Sequence, residues 1–442
     1  MHLTFILPAV GHKTDGSIYP KTWIMEPLSI AMLSRLTPPD WGRTFFDDRL
    51  GEIDFDAETD AVCISVECYT AKRSYQIAAE YHRRGRLVIM GGFQASLALD
   101  EVALHADAVI DGQAENVWSD VLSDLKAGTL KKRYYSNQPV DLAGRFPDRS
   151  IFGNRDYGIL SLVETSRGCR FHCEFCSITK FFRQTYRARP IEDVVREIRG
   201  LKKKNLFFVD DNLAMDVPRL KELCRALKPL KKRWIAQLSI HTAQDRELLR
   251  LMRDSGCAGV LIGFESLQKT TLRQMGKSVN EEADMVRSIR NLREFGISIY
   301  ATFVFGYDDD TPETFEKTLE FALKNKFFFA AFNHLVPFPG TSLFDRLKQE
   351  GRLLDEHWWL DEKFVFGDVV FRPAHFTAEE LAGYCQTYRR KFYSFSSILR
   401  RGLDPRANCR GLFKTLLYFI SNFSQSLEVG RRRGLPFGDP EK

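Results

Sequence analysis

Three cysteines crowd into eight residues, Cys169, Cys173 and Cys176, inside the run Glu164-Thr165-Ser166-Arg167-Gly168-Cys169-Arg170-Phe171-His172-Cys173-Glu174-Phe175-Cys176. Thiolates are soft ligands. Three of them on one short loop can hold three irons of a [4Fe-4S] cluster and leave the fourth iron open to a substrate. A structural zinc site is the competing reading, but it needs a fourth ligand, which His172 supplies only by turning inward. The other six cysteines form no regularly spaced framework, and a total of nine is odd, so a disulfide scaffold is excluded and a reducing compartment is expected. Cys224 reads as core on a helix, and Cys257 as lying just before a strand. Cys63 and Cys68 flank the ligand-facing end of a first sheet, where packing is favoured over a soft-metal site. Cys385 and Cys409 are too isolated to interpret.

The cysteines need a scaffold, and the apolar pattern supplies one. From Ile159 onward strands and helices alternate: Leu160 to Thr165, Ile191 to Leu201, Leu206 to Asp210, Arg219 to Leu227, Trp234 to Ile240, Asp245 to Asp254, Gly259 to Phe264, Glu281 to Phe295, Ser298 to Phe305, Pro312 to Lys324, Phe327 to Leu335 and Ser342 to Glu350. Six consecutive βα units predict a partial (β/α)6 barrel of the TIM type, with the cysteine loop directly after the first strand, where barrel enzymes place chemistry. Asp210, Asp211, Asn212, Glu265 and His334 stand at or beyond strand C-termini and converge on the same mouth.

The first ~140 residues also alternate strands and helices, Leu3 to Leu7, Leu28 to Leu36, Ala61 to Ser65, Ser74 to Arg84, Leu87 to Met90 and Val109 to Asp111, predicting a doubly wound, Rossmann-like parallel sheet with Ser65, Glu67, Gly91 and Gly92 at its ligand-facing end. A polar stretch from Lys131 to Arg149, with Pro139 and Pro147, reads as linker. The expected boundaries are an α/β domain over 1–140, a linker over 141–157, the barrel over 158–354 and a mainly helical C-terminal region over 355–442.

A chain of 442 residues with 44% hydrophobic and 12% aromatic composition can bury cores for domains of this kind, which rules out disorder and fibrous forms. The net charge of +6 comes without a dense basic stripe, so nucleic acid is not an expected partner. Arg183, Arg187 and Arg189 after the cysteine loop read as a solvated loop in preference to a patch that attracts an anionic substrate or electron donor, and Arg431 to Arg433 near the end read as a solvated tail. The N-terminal run Met1 to Pro8 carries no targeting signature, and Leu412 to Phe423 is too short to span a bilayer and contains Lys414, so a cytoplasmic protein without a membrane span is expected.

The cysteine spacing with Phe175 before the last cysteine resembles the radical S-adenosylmethionine (SAM) superfamily. Val209-Asp210-Asp211-Asn212, Ile262-Gly263-Phe264-Glu265-Ser266, Phe303-Val304-Phe305-Gly306 and Pro337-Phe338-Pro339-Gly340-Thr341 match the family's later strand-end motifs. Gly91-Gly92 and Ala106-Asp107-Ala108-Val109-Ile110-Asp111-Gly112 are similar to the cobalamin-binding domain that precedes the barrel in its largest subclass, so the resemblance covers about 350 residues. It implies a [4Fe-4S] cluster on Cys169, Cys173 and Cys176, with SAM chelated to the open iron. Cofactor contacts are implied for Asp210, Asp211, Glu265 and Lys277, where Glu265 holds amino or ribose groups and Lys277 pairs with the carboxylate, and Gly306 lets backbone approach. Gly91 and Gly92 are implied contacts in the first domain. No catalytic acid or base is assigned.

The pattern also departs from the subclass. No histidine stands in a D-x-H-x-x-G motif, the glycine turn continues with Phe93-Gln94 where a histidine is usual, and Gln113 and Glu115 stand where an acidic pair is common. Cobalamin is thus a candidate cofactor without a histidine ligand in the sequence, and Phe93 fills space a corrin would need. The expected activity is reductive cleavage of SAM for radical group transfer to a small molecule, with methyl transfer by way of cobalamin first and a reductase or flavodoxin-type electron donor. The alternative is cobalamin-free transfer of the 3-amino-3-carboxypropyl group to an acceptor such as arsenite, for which the radical SAM enzyme of arsinothricin biosynthesis is the pattern. A non-enzymatic iron-sulfur or cobalamin sensor is the remote reading.

Overall fold

Apolar runs buried on both faces build the first sheet of the chain, whose computed structural model describes residues 1–13, 24–277, 280, 284–429 and 433–440. Its strands are β1 (His2–Leu7), β2 (Gly42–Asp47), β3 (Ala61–Ser65), β4 (Leu87–Gly91), β5 (Ala108–Gly112) and β6 (Arg133–Ser136). All pair in parallel in the order β2-β1-β3-β4-β5-β6. The helices α1 (Leu28–Leu36), α2 (Ala71–Arg83), α3 (Phe93–Leu97), α4 (Leu99–Ala103) and α5 (Trp118–Ala127) cover the two faces. Strand order reverses beside β1, the point at which such sheets open a crevice at their C-terminal edge.

Two strands depart from the sequence expectation. Both β2 and β6 are edge strands, and β6 alternates exposed and buried residues, so neither carries the continuous apolar signal of the central strands. The stretch from Lys131 to Arg149 is therefore not all linker, because its first part pairs with β5.

The second sheet is built from β7 (Leu160–Val163), followed by a two-stranded ribbon of β8 (Ser166–Arg167) and β9 (Arg187–Ala188), then β10 (Asn205–Phe208), β11 (Arg233–Leu238), β12 (Cys257–Glu265), β13 (Ser298–Phe305) and β14 (Phe329–His334). Apart from the ribbon, these strands follow one another in chain order, each parallel to the next. This is the predicted open barrel of six strands, and Cys257 is the first residue of β12 rather than a residue before it. The helices are α6 (Ser177–Phe181), α7 (Ile191–Gly200), α8 (Val217–Leu227), α9 (Arg246–Asp254), α10 (Lys269–Gln274), α11 (Met285–Glu294), α12 (Pro312–Lys324) and α13 (Ser342–Gln349). Side-chain caps fix several starts: Asp216 accepts the Arg219 N–H at 3.0 Å, and Asp245 the Leu248 N–H at 2.9 Å.

The C-terminal region carries α14 (Ala378–Phe392), α15 (Phe395–Gly402) and α16 (Leu412–Glu428). Helix α14 covers the open edge of the barrel, where Arg389 donates to the Phe332 carbonyl at 3.0 Å. The chain then returns to the first domain. Trp358, Trp359, Leu435 and Phe437 share a core with Val62, Ile64, Val88 and Met90 on one face of the first sheet. Leu3, Phe5, Ile89 and Trp118 form the core of the other face.

Candidate active site

The cysteine loop is closed by the β8–β9 ribbon, which pairs Ser166 with Ala188 and Arg167 with Arg187. Gly168 adopts φ +84°, and a Cβ there would stand 2.0 Å from the Thr185 carbonyl oxygen, so the loop entrance requires glycine. Below it, Asp210 accepts the Thr165 N–H at 3.1 Å and hydroxyl hydrogen bonds from Thr165 and Ser166, and Asp211 accepts the Gly168 N–H at 2.8 Å. Burial pushes both carboxyls up to about 6. The other side of the loop is held by backbone: the Glu174 N–H donates to Met275 at 3.1 Å, and Leu343 donates to the Glu174 carbonyl at 3.0 Å. Arg346 reaches the Glu174 carboxylate at 3.0 Å.

Cys169, Cys173 and Cys176 are free thiols, partly exposed at the barrel mouth. They sit close enough to Lys277, Asp211 and Glu265 to feel those charges. Burial raises all three thiols, Cys173 to about 12, and the Lys277 ammonium opposes the shift. Among the described residues no three His, Cys, Asp or Glu side chains are gathered to hold a single metal ion. His172, the fourth ligand that zinc would need, is exposed. Three thiols carried within eight residues on one loop can serve as ligands to a shared group, as in a [4Fe-4S] cluster.

Beside them, Glu265 and Lys277 form a nearly buried ion pair. Glu265 takes φ +64°, an uncommon conformation for a side-chain-bearing residue, at a register shift between β12 and β13. Asn280 secures the irregularity by donating to the Gly263 and Phe264 carbonyls at 2.8 and 3.1 Å. Gly263 makes the room: a Cβ there would stand 2.1 Å from Glu265 Oε1 and 2.7 Å from Lys277 Nζ. Gly276, at φ +72°, lets the turn that ends α10, just before Lys277, lie against the His172 carbonyl. Gly306 has a different setting. Its absent Cβ faces Phe371 and Leu381 at 2.9 Å, so protein side chains from the C-terminal region occupy the space beside it.

Two cavities open next to this centre. The first, about 300 Å³, lies between the C-terminal edge of the first sheet and the cysteine loop, lined among others by Ser65, Glu67, Gly91, Glu115, Arg167 and Phe181. At Gly91 a Cβ would meet nothing nearer than 3.8 Å, which leaves the backbone open to a ligand, whereas at Gly92 a Cβ would strike the Val66 carbonyl at 2.6 Å, so this glycine serves the turn. Glu67 is open to the cavity yet surrounded by protein, and burial pushes its carboxyl up to about 7. No histidine lines the cavity among the described residues. His105 instead stacks on Tyr75 with ring centroids 3.9 Å apart. Phe93 stacks on Phe181 at 4.3 Å, forming part of the wall rather than filling the centre. Cys63 and Cys68 belong to cores on opposite faces of the sheet, so they do not meet at a common soft-metal site.

The second cavity, about 360 Å³, lies at the barrel mouth between Phe175, the ends of β13 and β14 and the C-terminal helices, with Phe338, His334, Arg389 and Arg433 in its wall. Arg389 and Arg433 were not legible as site residues, because α14 and the last described segment carry no motif and meet the mouth only through the fold. Sequence reasoning also missed Arg167, which joins the two domains: it pairs with Glu164 at 2.7 Å and Glu115 at 2.6 Å, and donates to Gln113 at 3.2 Å. Arg189 is not solvated as expected. It is buried, pairs with Glu197 at 2.6 Å and donates to the Arg145 carbonyl of the linker at 3.0 Å. Arg183 and Arg187 are exposed, Arg433 pairs with Asp368 at 3.5 Å, and Arg431 and Arg432 lie outside the described residues.

The family model of the Radical SAM superfamily matches residues 163–322. The chain is 30% identical over 392 residues to bacteriochlorophyllide d C-12(1)-methyltransferase of Chlorobaculum tepidum, covering 86% of this chain and 85% of that protein. Its fold is similar to the radical SAM methyltransferase TsrM of Kitasatospora setae, solved with cobalamin and a [4Fe-4S] cluster, with a TM-score of 0.64 at 16% identity over 97% of this chain and 99% of that one. It is also similar to the cobalamin-dependent enzyme OxsB, with a TM-score of 0.67 at 13% identity over 97% of this chain and 71% of that one.

Proposed function

The chain belongs to the radical SAM superfamily, and on that premise we propose that it is a methyltransferase that uses a [4Fe-4S] cluster, SAM and cobalamin. One observation carries the reading: the three-thiol loop stands at the barrel mouth directly across Arg167 from a cavity at the C-terminal edge of a doubly wound sheet. When bound by Cys169, Cys173 and Cys176, the cluster supplies the electron that cleaves SAM. Cobalamin bound in the first cavity would supply the methyl carrier, and Gly91 leaves the backbone there open to it.

The chain's own residues bind and orient. Glu265 and Lys277 neutralise each other until SAM arrives; then the carboxylate takes the SAM ammonium and the Lys277 ammonium takes the SAM carboxylate. Asp210 and Asp211 hold the loop entrance in place through Thr165, Ser166 and Gly168. The second cavity, aromatic with Arg389, Arg433 and His334, suits a small substrate with an apolar body and an anionic group. The electron donor is a reductase or flavodoxin-type protein, and nine free cysteines agree with a cytoplasmic setting.

The test is anaerobic reconstitution with iron, sulfide, SAM and reductant, with and without methylcobalamin, followed by identification of the nucleoside products. S-adenosylhomocysteine that depends on cobalamin supports methyl transfer. 5′-Methylthioadenosine formed without cobalamin would replace that reading by aminocarboxypropyl transfer. Alanine at Cys169, Cys173 or Cys176 is expected to abolish product and bound iron together, and turnover that survives these changes would overturn the assignment.

A further inference from the structure

Helix α16 is seated inside out. Of its 17 residues the buried ones are Tyr418 and Asn422, and Asn422 accepts a hydrogen bond from Arg401 at 3.1 Å. Leu412, Leu416, Ile420, Phe423 and Leu427 recur at intervals of four, four, three and four on the opposite face, which puts them in one stripe. They are exposed, Leu412 by 88% and Leu427 by 73%, and Phe413 and Leu417 widen the stripe. Helix α15 extends it with Phe395, Leu399 and Leu403, the last 74% exposed, and the Phe395 and Phe423 rings stack at 6.0 Å. A contiguous apolar face built by two helices is more than a monomer in water normally leaves uncovered.

Its place on the molecule is fixed by the contacts beneath it. Arg401 donates to the Phe327 and Phe328 carbonyls at 3.0 and 3.1 Å, and Lys414 to the Gly296 carbonyl at 2.6 Å. The Arg233 guanidinium lies 4.3 Å from the Phe413 ring centre. These partners precede or open β11, β13 and β14, so α15 and the first turns of α16 lie under the barrel, at the end opposite the cysteine mouth, and α16 runs from there along the barrel's side until Val429, just past its last turn, lines the second cavity. Charge follows the same geography. Between Phe395 and Leu427 there are five basic residues and one acid, Asp404, which is buried and held by Arg293 at 3.0 Å. Arg400, Arg406 and Arg410 are exposed around the stripe, and Lys202, Lys204, Lys228, Lys231 and Arg233 are exposed on the loops that enter β10 and β11 at the same end.

We propose that this face docks on an anionic lipid bilayer, with the α15–α16 stripe lying in the interface and the surrounding arginines and lysines on the lipid phosphates. An apolar stripe with a predominantly basic rim, in which Glu294 faces Arg406, is complementary to such a surface. A second copy would set two basic rims against each other. Because no residue of the stripe lines either cavity, docking positions the protein at the membrane without closing its site.

Flotation of the full-length protein with phosphatidylglycerol-containing and pure phosphatidylcholine vesicles tests this. The protein is expected to float with the anionic vesicles, less with neutral ones, and to be released by salt. The double substitution Leu416→Gln/Ile420→Gln is expected to lower binding at least about tenfold, and Arg406→Gln or Arg410→Gln about fivefold each, with bound iron and circular dichroism unchanged. If the double variant fails to fold, the arginine variants still report. Wild-type protein that floats with neither vesicle, or with both equally, overturns the proposal. So does a dimer in solution that the double substitution dissociates while vesicles bind neither form.

Discussion

Glu265 is held at φ +64° with Lys277 on its carboxylate and Asn280 bracing the backbone behind it. Such conformations persist where their surroundings enforce them, and they concentrate at binding sites. Gly263→Ala is expected to push the Glu265 carboxylate and Lys277 ammonium apart while sparing the fold, since the Cβ meets only the ends of those two chains. The expected result is a rise in KM for SAM of about tenfold or more, the equivalent of losing one charge-assisted contact, measured by SAM-cleavage kinetics beside an unchanged melting temperature. Asp310 gives a second residue-scale prediction. It accepts the Gly306 and Tyr307 N–H groups at 2.8 and 3.1 Å through Oδ2, its Oδ1 has no partner among the described residues, and burial pushes its carboxyl up to about 6. An acid whose folded value is raised favours the folded state below its unfolded value near 3.8, and that contribution is lost as pH rises through about 6. Asp310→Asn should therefore gain on wild type by up to about 3 kcal/mol as pH rises from 4 to 7, seen as a widening gap in melting temperature; a gap independent of pH would refute it.

Among the elements, the β8–β9 ribbon matters most, because Arg167 on it spans both domains. Its side chain is 13% exposed and its partners Glu115 and Glu164 lie 9% and 24% exposed. Removing one partner from a buried pair leaves the others charged and unpaired, so Arg167→Gln is expected to cost about 3 kcal/mol and to weaken cobalamin uptake, read by thermal unfolding and by binding titration. Elements with a continuous apolar run or a clean helical period were legible from the sequence: the six barrel strands, their helices and the central strands of the first sheet. Edge strands β2 and β6 were not, because an edge exposes one side and its alternating polar residues read as loop. Arg189 was misread for the converse reason: only packing decides that Glu197, the Glu164 and Arg145 carbonyls and the Arg219 side chain converge on it.

At the scale of the whole molecule, the last described segment ties the ends together. Gly438 donates to the Val10 carbonyl at 2.8 Å, Asp439 pairs with His12 at 2.9 Å, and Phe437 packs on Tyr69 and Trp358 with ring centroids 5.9 and 5.7 Å apart. Phe437→Ala is expected to cost about 3–5 kcal/mol, lowering the melting temperature and exposing the first domain to proteolysis ahead of the barrel. The C-terminal region thus belongs to the core of both domains as well as to the wall of the second cavity. The sequence alone determined the chemistry and the scaffold, because thiol spacing is local and the strand and helix periods are local too. It also determined that no histidine follows the usual motif. Only the tertiary structure decided which glycines admit a ligand and which admit protein, that Glu265 and Lys277 share a pair, that Arg167 joins the domains and that helix α16 faces outward with its apolar side. Each of these depends on residues far apart in the chain meeting in space, and no spacing along the chain encodes that.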